Sequence, residues 1–294
     1  MMKRLRAVLT ATALCGGALG APAMTPSAAA ADGRPLTYVA LGDSYAAAPL
    51  VRPTDVSNLR CMRSLADYPH VAARALGAAL TDVSCSGATA DHLSSSQFTG
   101  TVPQYNALSK DTDVVSITIG GNDTTMFQLA LSCVNVLPEP LGASCARTNT
   151  DGGTDKVAAA IDAWAPTFGT VLDAIHAKAP HAEVYVVGYG NYLRSGGCYP
   201  AQPFWGEDAD YVQGKVDHLG GVLEQAAARH GATFVDTKAL GVGHDACAAP
   251  ADRYMEGAVS TRDAFPLHPN ADGSQVIGRA LAASVQEHSG ADLR

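Results

Sequence analysis

Five short strand-like runs, most of them apolar, set between helical stretches constrain this 294-residue chain more than any other feature. They lie at residues 36–41 (LTYVAL), 81–84, 113–119 (DVVSITI), 183–187 and 232–235. Between and after them the pattern is helical, at residues 68–80 with Pro69 in the first turn, 156–178 interrupted at Pro166, 208–230, and 271–288. Strands that are apolar throughout, alternating with helices, predict a parallel sheet covered on both faces. The expected fold is therefore α/β, a three-layer α/β/α sandwich. In such sheets function gathers beyond the carboxyl ends of the strands. Ser44 and Asn122 fall just past two of those predicted ends.

The first residues predict export. Lys3, Arg4 and Arg6 precede an apolar run over residues 7–23 and a small-residue stretch, PSAAAA, at 26–31. That is the order of a secretory signal peptide, and the run is too short and too rich in Gly and Ala to span a bilayer. Residues 1–31 are read as the signal and 32–294 as one domain, secreted and without a stable membrane anchor. The net charge of −8 becomes more negative when those three basic residues leave. No basic stripe is present for nucleic acid or an anionic membrane. Seven cysteines include Cys15 in the signal. The other six, in an oxidising compartment, read as three disulfides. Fifteen pairings are open; neighbour order favours Cys61–Cys85, Cys133–Cys145 and Cys198–Cys247. No Cys/His spacing points to a metal.

Gly42-Asp43-Ser44-Tyr45 lacks the second glycine of the G-x-S-x-G elbow. A serine at the end of a strand still needs a base and an oxyanion site to act as a nucleophile. Three later blocks offer these parts: SCSGAT at 84–89, GGND at 120–123 and HPN at 268–270. For Ser44 alone, a turn serine is the better reading; with the other three blocks, nucleophile is.

Together the four blocks resemble the GDSL/SGNH hydrolase superfamily, and more narrowly the secreted lipases and esterases of Streptomyces-type actinomycetes. That group shares YVALGDSY, the YPH at 68–70, TIGGND, the GHDAC at 243–247 and three disulfides. The resemblance implies a flavodoxin-like sandwich and a carboxylic-ester hydrolase needing no cofactor or metal. It implies Ser44 as nucleophile and His268 as general base. It places the oxyanion hole at the Ser44 and Gly87 N–H groups and the Asn122 side chain. Many members carry Asp three residues before the histidine; here that position is Phe265, and Asp263 is further back. The expectation is a Ser44–His268 dyad, with the main-chain carbonyl of Phe265 orienting the imidazole. A third group chiefly fixes tautomer and orientation, which a carbonyl can do.

The expected substrate is a fatty acyl ester such as an acylglycerol, and the expected state a monomer. Phospholipase A and carbohydrate-ester deacetylase use the same chemistry. A non-catalytic binding protein is the reading from another class, and a metal-dependent hydrolase lacks any supporting motif. His244 is the one serious rival to His268, read here as part of a disulfide-bounded loop. Asp43 reads as structural. Tyr45, Phe127, Phe204, Trp205 and Phe265 divide between an acyl pocket and ordinary core.

Overall fold

The computed structural model describes residues 33–291, so the expected signal segment lies outside the described residues. A five-stranded, wholly parallel sheet forms the centre. Strand β1 (Thr37–Gly42) leads into a single helical turn, α1 (Ser44–Ala47). Helix α2 (Tyr68–Leu76), strand β2 (Ala79–Asp82) and the short α3 (Asp91–Ser94) follow. Next come β3 (Val114–Thr118), α4 (Met126–Ser132), α5 (Cys145–Thr150) and α6 (Lys156–Lys178). The chain closes with β4 (Glu183–Val187), α7 (Gly206–Arg229), β5 (Thr233–Val235) and α8 (Ala271–Ala291).

The strand order is β2-β1-β3-β4-β5. It reverses direction between β1 and β3, and a doubly wound sheet opens a ligand crevice at such a switch point. Every residue of β3 is buried, as a strand covered on both faces requires. Helices α2 and α8 pack on each other, as do α6 and α7. A side chain at Gly278 in α8 would collide with Val71 and the Tyr68 carbonyl of α2, so the glycine sets that close crossing.

Two boundaries differ from the sequence reading. The second helix stops at Leu76, not residue 80, because Gly77 takes a left-handed cap (φ 64°) and releases residues 79–82 into β2. Pro166 does not interrupt α6. It sits on the solvent side, where water can satisfy the carbonyl it frees, while Ile161, Phe168 and Leu172 bury the opposite face. The three disulfides pair in neighbour order, Cys61–Cys85, Cys133–Cys145 and Cys198–Cys247.

Candidate active site

Gly42 ends β1 at φ 146°. A Cβ there would lie 2.6 Å from the Thr118 carbonyl oxygen, so only glycine lets β1 run this close to the end of β3. The Asp43 N–H then donates to that same carbonyl at 2.9 Å. Gln104 clamps Gly42 from outside, its amide accepting from the Gly42 N–H (2.8 Å) and donating to the Gly42 carbonyl (2.9 Å). Asp43 caps the single turn of α1 by accepting from the Tyr45 N–H. Ser44 is thus held half-buried at the switch point, with its N–H in the first turn of a helix, where no intrahelical acceptor exists.

Ser44 and His268 meet across 224 residues, Oγ to Nε2 at 2.7 Å. The other ring nitrogen, Nδ1, lies 2.8 Å from the Pro266 carbonyl oxygen. A carbonyl only accepts, so Nδ1 carries the proton and Nε2 is left to accept from the serine hydroxyl. The expected Phe265 carbonyl is therefore corrected to that of Pro266. Leu267 adopts a left-handed conformation (φ 62°), and this tight turn brings the carbonyl two residues back, not three, to the ring. The Phe265 side chain instead sets its ring against the imidazole, centroids 5.4 Å apart, with Phe127 6.2 Å away on the same histidine. Burial lowers the His268 pKa to about 4, against the raising effect of the Pro266 hydrogen bond, so the imidazole is neutral across the physiological range. Asp263 is exposed and faces Arg52 at 3.4 Å.

The oxyanion candidates converge on this pair. The loop after β2 is pinned by the Cys61–Cys85 disulfide and by the Cys85 N–H donating to the Gly42 carbonyl. Gly87 in it has φ 81°, a conformation that favours glycine. The loop after β3 reaches over to it: Asn122 Nδ2 donates to the Ala88 carbonyl at 2.8 Å, and Asp123 accepts from the Ala90 N–H. Ser44, Gly87, Asn122 and His268 all line one cavity of about 330 Å³.

Its remaining walls are mostly apolar. Val212, Val216 and Leu219 form a stripe along α7, faced by Met126 and Ala130 of α4, with Met62 exposed among the lining residues. Of the aromatics weighed from sequence, Tyr45, Phe127 and Phe265 line the cavity. Phe204 is core, and Trp205 donates its indole N–H to the Leu137 carbonyl. The aliphatic wall was missed because its residues come from helices far apart in sequence; their spacing of four and three on α7 reads equally as core.

His244 stacks on Tyr254 and bonds the Asp252 carbonyl oxygen, in line with its structural reading. Asp67, His70 and Asp82 bring three ligand-type atoms within 4.8 Å of one another. Asp67 accepts from the His70 backbone N–H as the cap of α2 and also bonds the His70 ring at Nδ1, and Arg63 approaches Asp82 at 4.0 Å. Burial raises both carboxyls, Asp67 to about 8, and lowers the histidine, so the neutral forms are favoured and the group is a poor cation site.

A strand-end serine hydrogen-bonded to a neutral histidine, beside a glycine and an asparagine, is the arrangement that serine-based ester hydrolysis requires. The chain belongs to the GDSL-like lipase/acylhydrolase family, whose model matches residues 40–276, and it is a carboxylic-ester hydrolase. Lipase 2 of Streptomyces coelicolor is 39% identical over 280 residues, 92% of this chain and 94% of that protein. The extracellular lipase of Streptomyces rimosus superposes with a TM-score of 0.71 at 28% identity, over 85% of this chain and 99% of that one. Phospholipase A1 of Streptomyces albidoflavus NA297 does so at 0.70 and 28%, with the same coverage. No helix among the described residues is long and apolar enough to cross a membrane.

Proposed function

We propose that this protein is a secreted lipase or esterase that cleaves fatty acyl esters, acylglycerols among them, through an acyl-enzyme on Ser44. The observation that carries the reading is the 2.7 Å Ser44–His268 contact at an apolar cavity of about 330 Å³. Ser44 Oγ attacks the ester carbonyl carbon while His268 Nε2 takes the hydroxyl proton. The Ser44 and Gly87 N–H groups and Asn122 Nδ2 stabilise the oxyanion. Collapse breaks the carbon–alkoxy bond, and the imidazolium returns its proton to the departing alcohol. Water then attacks the acyl-enzyme, giving its proton to the same nitrogen, and the acid leaves as Ser44 regains its hydrogen. The Pro266 carbonyl keeps the imidazole in the required tautomer throughout. No cofactor enters the scheme, and the working unit is a monomer.

The likeness to the Streptomyces albidoflavus phospholipase A1 favours glycerophospholipids as a second ester class. Three disulfides and the residue 1–31 segment support export with cleavage near Ala31, which N-terminal sequencing of the secreted protein checks. The deciding experiment is hydrolysis of p-nitrophenyl esters from acetyl to palmitoyl, an emulsified triacylglycerol and a phosphatidylcholine, run beside Ser44→Ala. Turnover of medium and long acyl esters that disappears with Ser44 is the expected result. Turnover that survives in Ser44→Ala, or none by the folded wild type, removes the reading.

A further inference from the structure

In the wall of the cavity lies a buried chain of polar groups that the reaction scheme does not use. The Tyr189 hydroxyl donates to Asp43 Oδ2 at 2.5 Å and accepts from the Gly121 N–H at 2.8 Å. Asp43 immediately precedes Ser44, and Gly121 immediately precedes Asn122. We propose that Tyr189 is a positioning residue for the oxyanion pocket, one hydroxyl tying the asparagine loop to the turn that presents the serine. This rests on the reading of Ser44 and Asn122 given above.

Tyr189 sits two residues beyond β4, beside the ends of β1 and β3, so three strand ends meet at this oxygen. The arrangement is built to be close. A Cβ on Gly121 would stand 2.9 Å from the Tyr189 oxygen, so a glycine is needed for the hydroxyl to approach the peptide. The Tyr45 and Tyr189 rings pack edge to face, centroids 5.2 Å apart at 70°, which holds the Tyr189 ring in place. Asp43 is 1% exposed and Tyr189 9%, so water competes little for these bonds. An oxyanion donor works only when fixed at hydrogen-bond distance from the place the charge develops. Asn122 otherwise depends on its bond to the Ala88 carbonyl and on the loop itself.

The charge of Asp43 enters the same link. Burial pushes its carboxyl up to about 7, opposed by the hydrogen bonds from Tyr189 and the Tyr45 N–H and reinforced by Asp123. The titratable groups facing it are Tyr189, Tyr45, Tyr192, Asp123 and, from α2, Tyr68. Ionised Asp43 accepts from Tyr189 more strongly than the neutral acid does. The link is therefore tight above about pH 7 and slack below it, where protonation falls well above the histidine's own titration.

The test is Tyr189→Phe, which keeps the ring and removes the bridging oxygen. We expect kcat to fall by about 10- to 100-fold with KM within about twofold, short of the loss from deleting a donor outright. We also expect a shoulder near pH 7 in wild-type kcat that is absent from the variant. A kcat within twofold of wild type with only a lower Tm would make Tyr189 a structural tyrosine and overturn the proposal. If Tyr189→Phe does not fold, Asp43→Asn, which leaves the ring in place, must show the reduced kcat and the lost shoulder; wild-type kcat there overturns the proposal equally. Ser44→Ala assayed alongside separates the two levels. Activity in Ser44→Ala rejects the nucleophile assignment, whereas an inactive Ser44→Ala beside a fully active Tyr189→Phe rejects only the bridge.

Discussion

The two halves of the dyad are held in opposite ways. Ser44 stands first on backbone, the end of β1 with a glycine at φ 146° and the Asp43 N–H bonded to the neighbouring strand, and the Gln104, Asp43 and Tyr189 side chains secure that crossing. His268 stands on a loop without regular structure, held by a buried polar network. Asn270 Nδ2 donates to the Arg253 carbonyl (2.7 Å) and to Glu256 Oε1 (2.9 Å), and its own oxygen caps α8. The Glu256 N–H donates to the His268 carbonyl, and its other carboxylate oxygen takes two bonds from Thr261. The serine side turns on one backbone approach that a side chain would block, while the histidine side has no such single point and spreads its constraint over several side chains. A single substitution should thus be sharp in the first region and graded in the second.

Gly42→Ala should have the largest effect. It combines a backbone conformation adverse to an L side chain with a 2.6 Å approach to the Thr118 carbonyl. We expect a loss of at least about 2 kcal/mol of stability and near-complete loss of kcat, read by thermal unfolding and ester hydrolysis. A stable, active Gly42→Ala would erase the contrast between the two sides. Glu256→Ala comes next. It leaves the Asn270 amide short of one acceptor in a buried site, at a cost of about 1–3 kcal/mol, with kcat reduced but measurable.

Phe265→Ala should move the pH profile more than the rate at optimum. The histidine must be neutral to act as base, so activity is lost as pH falls through its folded pKa. Burial holds that value near 4. Opening the aromatic cover on His268 should carry the acid limb of kcat/KM up toward the ordinary histidine value of about 6.5. An unmoved limb would assign the shift to other neighbours.

The same contrast governs what the sequence made legible. The strand runs, their glycine ends and the blocks around Ser44, Gly87, Asn122 and His268 were readable because each is a local signal with a local cause. The second helix overran because Gly77 competes with residues 78–80, which are compatible with either state. The carbonyl partner was misplaced by one residue, since a left-handed Leu267 has no signature in the letters. The bridge from Asp43 through Tyr189 to Gly121 was invisible, because Tyr189 is 146 residues from Asp43 and resembles any strand-end tyrosine. Likewise the α4 and α7 cavity wall becomes a wall only once the helices face each other.

The most direct test of the central claim, a serine–histidine dyad oriented by a main-chain carbonyl, uses the nearest upstream carboxylate. Asp263 is exposed and turned toward Arg52, so it has no part in the site. The measurement is kcat/KM of Asp263→Asn against wild type on one chromogenic ester across the pH range. The account predicts values within about twofold at every pH, since an exposed ion pair contributes little. A fall approaching the roughly 10⁴-fold that follows loss of a triad carboxylate's function would contradict it and return an acid to the histidine.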